Sequence, residues 1–215
     1  MPARPAHLSA ELTEAAEADG RYEAIVLAGG AARRLGGVPK PSVPVAGVPM
    51  IERVLAAVGS AIVVGPADVT LHVDVPIVRE SPPGAGPVAA IGAAFDAYES
   101  QLADVVTIVG ADLPLLTSDA VRGLTDTAVH GHVDGATYVD ADGHRQWLCG
   151  AWRTAAVAER LDSMAGAPGG LVDAALRDLF GPLAVAEIRS DDVPPPWFDC
   201  DTEDDIRRAE EWLAR

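Results

Sequence analysis

Cysteine, aromatic side chains and positive charge are all scarce in this sequence. Two cysteines, Cys149 and Cys200, do not make a disulfide framework. They point to a reduced, cytoplasmic setting in which each thiol is a small buried hydrophobe. Phe, Trp and Tyr make up 5% of the chain, so the core must be built from aliphatic side chains. Lys and Arg number 16 against 32 Asp and Glu, a formal net charge of −16. A surface of that sign repels nucleic acid and anionic lipid, so neither is expected as a partner. Small phosphorylated ligands stay open, because a local cluster of cations overrides the global field. No apolar run approaches the ~20 residues of a membrane span, and no internal repeat is present. Residues 1–20 lack the apolar segment of a secretory signal. They read as a tail or short helix of no assigned function, which leaves 21–215 as one domain with one core.

What is present is an alternation of apolar runs and helical patterns. Strands are expected at Ala24–Leu27, Ala61–Val64, Val75–Val78, Val105–Val109, Ala136–Val139, Leu148–Trp152 and Leu183–Ile188. The first and fourth are almost continuously aliphatic, as in parallel strands covered on both faces. Helices are expected at Met50–Gly59, Gly86–Tyr98, Thr117–Thr127, Arg153–Met164, Leu171–Phe180 and from Thr202 onward. Gly-Pro opens the second, and Thr202 suits an N-cap with three acidic residues following it. Strand–helix alternation predicts an α/β fold with a mostly parallel central sheet, and ligands on such sheets bind beyond the carboxyl ends of the strands. The segments 28–40, 110–114 and 199–202 therefore share a candidate edge.

The most informative segment is Ile25–Lys40, where an apolar strand runs into a glycine-rich turn with two arginines and then a lysine. Glycines let backbone N–H groups approach an anion closely, and neighbouring cations hold a polyphosphate. The P-loop pattern fails here, because Pro41 follows Lys40 and no glycine directly precedes it. The dinucleotide fingerprint fails as well, because the first two glycines are adjacent. What remains is L-A-G-G-x-x-x-R-L-G-x-x-x-K.

That pattern resembles the nucleotidyltransferases that activate a phosphorylated substrate with a nucleoside triphosphate. Within them it is most similar to the molybdenum cofactor guanylyltransferases, the MobA-like group. The resemblance runs through Leu27–Lys40, Gly86–Ile91, Val109–Leu115, Arg145–Arg153 and Asp199–Ile206, nearly the whole chain after residue 22. It implies a three-layer, Rossmann-like nucleotidyltransferase fold and a Mg²⁺-dependent transfer of GMP from GTP to molybdopterin. By the same resemblance, the backbone of Leu27, Ala28, Gly29 and Gly30 meets the base and phosphates. Arg34 and Lys40 match the phosphate-binding cations, and Asp112 the aspartate that holds magnesium. Gly86, Pro87 and Ala89 form the turn beside the guanine. Asp201 or Asp199 supplies a second metal ligand. GTP, the phosphorylated acceptor and proteins of molybdoenzyme maturation are the implied partners.

Two features depart from the group. Pro39 replaces an aspartate before the lysine, and Pro39–Pro49 is similar to the sugar-1-phosphate nucleotidyltransferases, although the glycine-to-lysine gap is the short one of the molybdopterin group. Asp199-Cys200-Asp201-Thr202 stands where Asn-x-Asn-Thr is usual, which resembles the cytidylyltransferase branch. Cytidylyl transfer, sugar-phosphate nucleotidyl transfer and nucleotide binding without turnover are thus the competing readings. Simpler roles compete residue by residue: a tight turn for Gly29–Gly30, a helix cap for Asp112, capped-turn carboxylates for Asp199 and Asp201, and a solvated position for Arg33. His130 and His132 lack further evident ligands, and Gln146 maps weakly to the acceptor side.

Overall fold

The computed structural model describes residues 21–29, 34–35, 38–66 and 71–215. The reading of residues 1–20 therefore lies outside the described residues, as do Gly30 and Arg33. In chain order come β1 (Tyr22–Leu27), the two-residue strands β2 (Arg34–Leu35), β3 (Val38–Pro39), β4 (Pro44–Val45) and β5 (Val48–Pro49), then α1 (Met50–Val58). There follow β6 (Ala61–Val64), β7 (Ile77–Val78), α2 (Pro87–Tyr98), β8 (Leu102–Gly110) and α3 (Ser118–His130). The chain closes with β9 (Gly135–Val139), β10 (Arg145–Arg153), α4 (Thr154–Ala165), α5 (Leu176–Phe180), β11 (Val185–Arg189) and α6 (Glu203–Leu213).

Seven strands form one sheet in the order β11-β9-β10-β8-β1-β6-β7. All neighbours run parallel except β10, which is antiparallel to both β8 and β9. The alternation within β1 shows why the sheet has two covered faces. Ala24 and Val26 pack with α1 and α3 on one side, while Ile25 and Leu27 pack with α2, α4 and α5 on the other. A strand that is apolar on both faces suits the middle of a three-layer α/β sandwich and no edge position.

Two expected elements come out shorter by two or more residues overall. The Val75–Val78 strand is reduced to Ile77–Val78 at the sheet edge, where only β6 is available to pair with it. The Leu171–Phe180 helix begins only at Leu176. Gly170 and Asp173 both take positive φ, 59° and 55°, which no right-handed helix passes through.

The topology brings two loops together. From β1 the chain builds outward through β6 and β7, and α2 then carries it back to β8 on the other side of β1. The carboxyl ends of β1 and β8 thus flank a switch point, the usual ligand crevice of an open α/β sheet. Leu27 lies beside Gly110 in register, and the Ala111 N–H donates to the Leu27 carbonyl at 3.0 Å. A small third cluster locks the C-terminal helix to this edge: Val45, Met50, Leu115, Cys200 and Ala209, with Phe198, Ile206 and Trp212 packed against them.

Candidate active site

Lys40, Asp112 and Asp201, three of the charged residues singled out in the sequence, meet at the switch point. Pro39 (φ −54°) and Pro41 restrict the backbone on either side of Lys40, which opens a 3-10 turn closed by the Val43 N–H on the Lys40 carbonyl at 3.1 Å. From this turn the Lys40 side chain reaches across to two carboxylates. Its Nζ donates to Asp112 Oδ2 at 2.5 Å and to Asp201 Oδ1 at 2.7 Å. Asp112 sits directly beyond β8, and Asp201 on the approach to α6, 89 positions later in the chain. The Cys200 N–H donates to the Asp112 carbonyl at 3.1 Å and fixes one segment against the other. A capping box then holds the start of α6, with the Asp205 carboxylate accepting from the Thr202 N–H at 2.8 Å and Thr202 Oγ1 accepting from the Asp205 N–H at 3.2 Å.

The electrostatics are those of a crowded negative site. Only 14% of the Lys40 side chain is exposed. Burial works to lower its pKa, but the hydrogen bonds and charges of Asp112 and Asp201 outweigh burial and hold it above the ordinary lysine value. Asp199 is pushed up instead, by desolvation first and then by the Asp201 and Asp112 charges. Three carboxylates gather around the Lys40 ammonium. Hard oxygen ligands of this kind suit a divalent cation of the Mg²⁺ type, so Asp112 and Asp201, with Asp199 beside them, fit that group.

The other flank of this edge is built by the end of β1 and the start of α2. Leu27 and Ala28 are buried, and the Ala28 N–H donates to the Val64 carbonyl at 2.7 Å. A side chain at Gly29 would place its Cβ 3.9 Å from Gly65 Cα and 4.0 Å from Glu80 Oε1. Gly86 (φ 94°) precedes Pro87, the first residue of α2. Glu80 lies near both turns: its Oε1 accepts from the Gly84 N–H at 2.8 Å and would stand 4.0 Å from a Cβ on Gly29. Ala89, one turn into α2, is buried. Arg34 falls in β2, opposite Pro39 of β3.

Glu80 belongs to no sequence motif; only the chain's return after β7 places its carboxylate against the glycine turn. Asp140, Asp142 and His144, in the β9–β10 connection, form a separate group of donor atoms within 4.8 Å of one another. Its geometry is that of a turn: Asp140 Oδ1 accepts from the Asp142 and His144 N–H groups at 3.0 and 2.8 Å. Gln146 points its amide at the same carboxylate, 3.1 Å from Asp140 Oδ2. His130 and His132 enter no such group among the described residues. Cys149 and Cys200 are buried and unbonded to each other, as the sequence suggests.

A family model for the MobA-like NTP transferase domain matches residues 24–182. The chain belongs to that family. It is 32% identical to the molybdenum cofactor guanylyltransferase of Rhodobacter capsulatus over 201 residues, covering 91% of this chain and 98% of the relative. A probable molybdenum cofactor guanylyltransferase of Mycobacterium tuberculosis is 28% identical over 150 residues, covering 66% of this chain and 73% of the relative. The fold agrees. Molybdopterin-guanine dinucleotide biosynthesis protein A of Archaeoglobus fulgidus superposes with a TM-score of 0.68 at 20% identity, covering 89% of this chain and 98% of that one. The 2-C-methyl-D-erythritol 4-phosphate cytidylyltransferase of Thermus thermophilus does so at 0.65 and 14%, covering 90% and 100%. As a member of the MobA-like family the chain is a nucleotidyltransferase, and its switch-point residues have an activity to be read against.

Proposed function

We propose that this protein transfers GMP from GTP to the molybdenum cofactor in a Mg²⁺-dependent reaction, giving the guanine dinucleotide form and pyrophosphate. The observation that carries this reading is the meeting of Lys40, Asp112 and Asp201 at the switch point, beside the glycine turn that ends β1. A terminal phosphate oxygen of the acceptor attacks the α-phosphorus of GTP. The new P–O bond forms as the bond to the β-phosphate breaks, and pyrophosphate carries away the charge. Both reactants are anionic, so the protein's task is to position them and neutralise them. Asp112 and Asp201 would hold Mg²⁺, which would supply charge neutralisation on the phosphates. Lys40 and Arg34 hold the triphosphate, and the backbone at Leu27, Ala28, Gly29 and Gly30 approaches it. Gly86, Pro87 and Ala89 wall the base. Proteins of molybdoenzyme maturation and a cytoplasmic setting accompany this role.

The choice of base has its own support. Guanine presents two adjacent donors, N1–H and the 2-amino group, and a carboxylate accepts from both; cytosine lacks that pair. Glu80 sets a carboxylate against Gly29 and Gly84, which favours guanine over the cytosine suggested by Asp199–Asp201.

Pyrophosphate release tests the proposal, with GTP, CTP, UTP or dTTP, Mg²⁺ and the molybdopterin cofactor. Release with GTP alone is expected, with Asp112→Ala lowering turnover by ~10²-fold or more while the protein stays folded. Preference for CTP overturns the guanine assignment. Preference for UTP or dTTP overturns the molybdopterin acceptor. Tight GTP binding with no release leaves a binding protein, not an enzyme.

A further inference from the structure

The Lys40 ammonium stands between the two carboxylates that the proposed reaction assigns to a divalent cation. One set of oxygens cannot serve both at full strength. Asp112 Oδ2 and Asp201 Oδ1 lie 2.5 and 2.7 Å from Nζ, at full hydrogen-bond contact with a largely buried group. We infer that Lys40 is the counter-ion of the free enzyme and competes with the divalent cation for Asp112 and Asp201, so that the metal enters tightly only with a nucleoside triphosphate that draws the lysine away. This rests on the nucleotidyl-transfer reading of the same site.

The framework around the pair is fixed, while the group between them is not. Asp112 is anchored on both sides, by Ala111 on Leu27 and by the Cys200 N–H on its own carbonyl. The Asp201 N–H donates to Asp205 Oδ2 at 3.2 Å, within the cap of α6. The side chains of Asp112 and Asp201 are 30% and 53% exposed, so a cation arriving from solvent can reach both. Lys40 is restricted at its backbone by the proline on either side, and its ammonium is held by the two carboxylates. Its four-carbon stem lets the ammonium swing without any change in the main chain. A triphosphate offers that ammonium a stronger anionic partner than the two carboxylates, and a divalent cation offers them twice the charge they give up. Each exchange makes the other favourable, and the coupling is reciprocal: the nucleotide tightens the metal by the factor by which the metal tightens the nucleotide.

This yields a result that neither a purely structural nor a purely phosphate-binding lysine gives: removing the positive charge should improve metal binding. The full chain is titrated with Mg²⁺ by calorimetry and with Mn²⁺ by electron paramagnetic resonance, with and without a non-reactive α,β-methylene analogue of GTP. Wild type is expected to bind either metal at least tenfold more weakly without the analogue than with it. Lys40→Met keeps the stem and removes the charge. It is expected to bind metal alone at least tenfold more tightly than wild type, to bind the analogue more weakly, and to lose its metal gain when Asp112→Asn is added. Lys40→Gln serves as the second variant if Lys40→Met fails to fold by circular dichroism. Equal or weaker metal binding in the folded lysine variants overturns the inference, as does a wild-type metal affinity that ignores the analogue. The metal-only arms contain no nucleotide. They can therefore fail while GTP-dependent pyrophosphate release stands, and can succeed where that release is absent.

Discussion

Lys40, Asp112 and Asp201 show how far single residues can be read from the chain. Their chemistry is legible because the motif fixes residue type at a set spacing after a strand. Whether Asp199 or Asp201 meets the lysine is not, because both sit on an irregular approach to a helix, where no periodicity assigns a face. The structure gives Asp201 the hydrogen bond and leaves Asp199 with the repulsion. Cys149 illustrates a residue set wholly by its surroundings. Burial pushes its thiol up to about 12, so the native protein keeps it protonated and closed to reagents. Iodoacetamide at about pH 8 should leave Cys149 unmodified in the folded protein and label it once urea unfolds the chain, as mass spectrometry will show. The linkage has a definite sign. The unfolded thiol ionises near ~8.5, so the stability that Cys149 contributes by staying protonated is fully present below that pH. It is lost as pH rises toward the folded value of about 12.

At the scale of elements, β1 and β6 are the clearest, since short aliphatic runs bounded by polar residues have no other way to bury both faces. The segment before α5 is the least clear. Leu171, Ala174 and Ala175 give a helical spacing, yet the first two join the core from a turn whose φ angles no helix allows. Apolar spacing reports which side chains are buried, and a short turn buries them as well as a helix does. β10 reaches back to Arg145, with a register shift between Arg145 and Gly150 that strand alternation cannot reveal. Beyond that shift, Trp152 lies fully buried in β10 and stacks on Phe180 with ring centroids 3.9 Å apart. Two glycines make room for it. A Cβ on Gly135 of β9 would run into the Trp152 ring and stand 2.9 Å from the Ala151 carbonyl oxygen; one on Gly150 would stand 2.8 Å from Trp152 Nε1. Gly135→Ala should therefore destabilise the protein by about 1–3 kcal/mol, read as a lower urea midpoint with an unchanged slope. A midpoint equal to that of wild type would show that the indole moves aside freely.

For the molecule as a whole, charge matters most after the core. A net charge of −16 on 215 residues favours solubility and opposes compactness by self-repulsion. The melting temperature should rise by ~2–5 °C between about 0.05 and about 0.5 M NaCl, because salt screens exposed like charges more than it weakens buried pairs. A fall by calorimetry would mean that local ion pairs outweigh the global field. Among the described residues no helix is long and apolar enough to cross a membrane. By itself, the sequence determined the α/β alternation, the two-faced burial of the central strands, and the charged residue types gathered at the switch point. Those are local properties: strand and helix periods, and turns that only glycine and proline permit. Only the tertiary structure decided that Lys40 lies on Asp112 and Asp201, that Glu80 comes near Gly29, and that the last helix closes on the β4–β5 turn. Such contacts depend on strand order and on the packing of Val45, Met50 and Leu115 with Cys200 and Ala209. They arise from the chain folding back on itself, and neighbouring residues carry no mark of them.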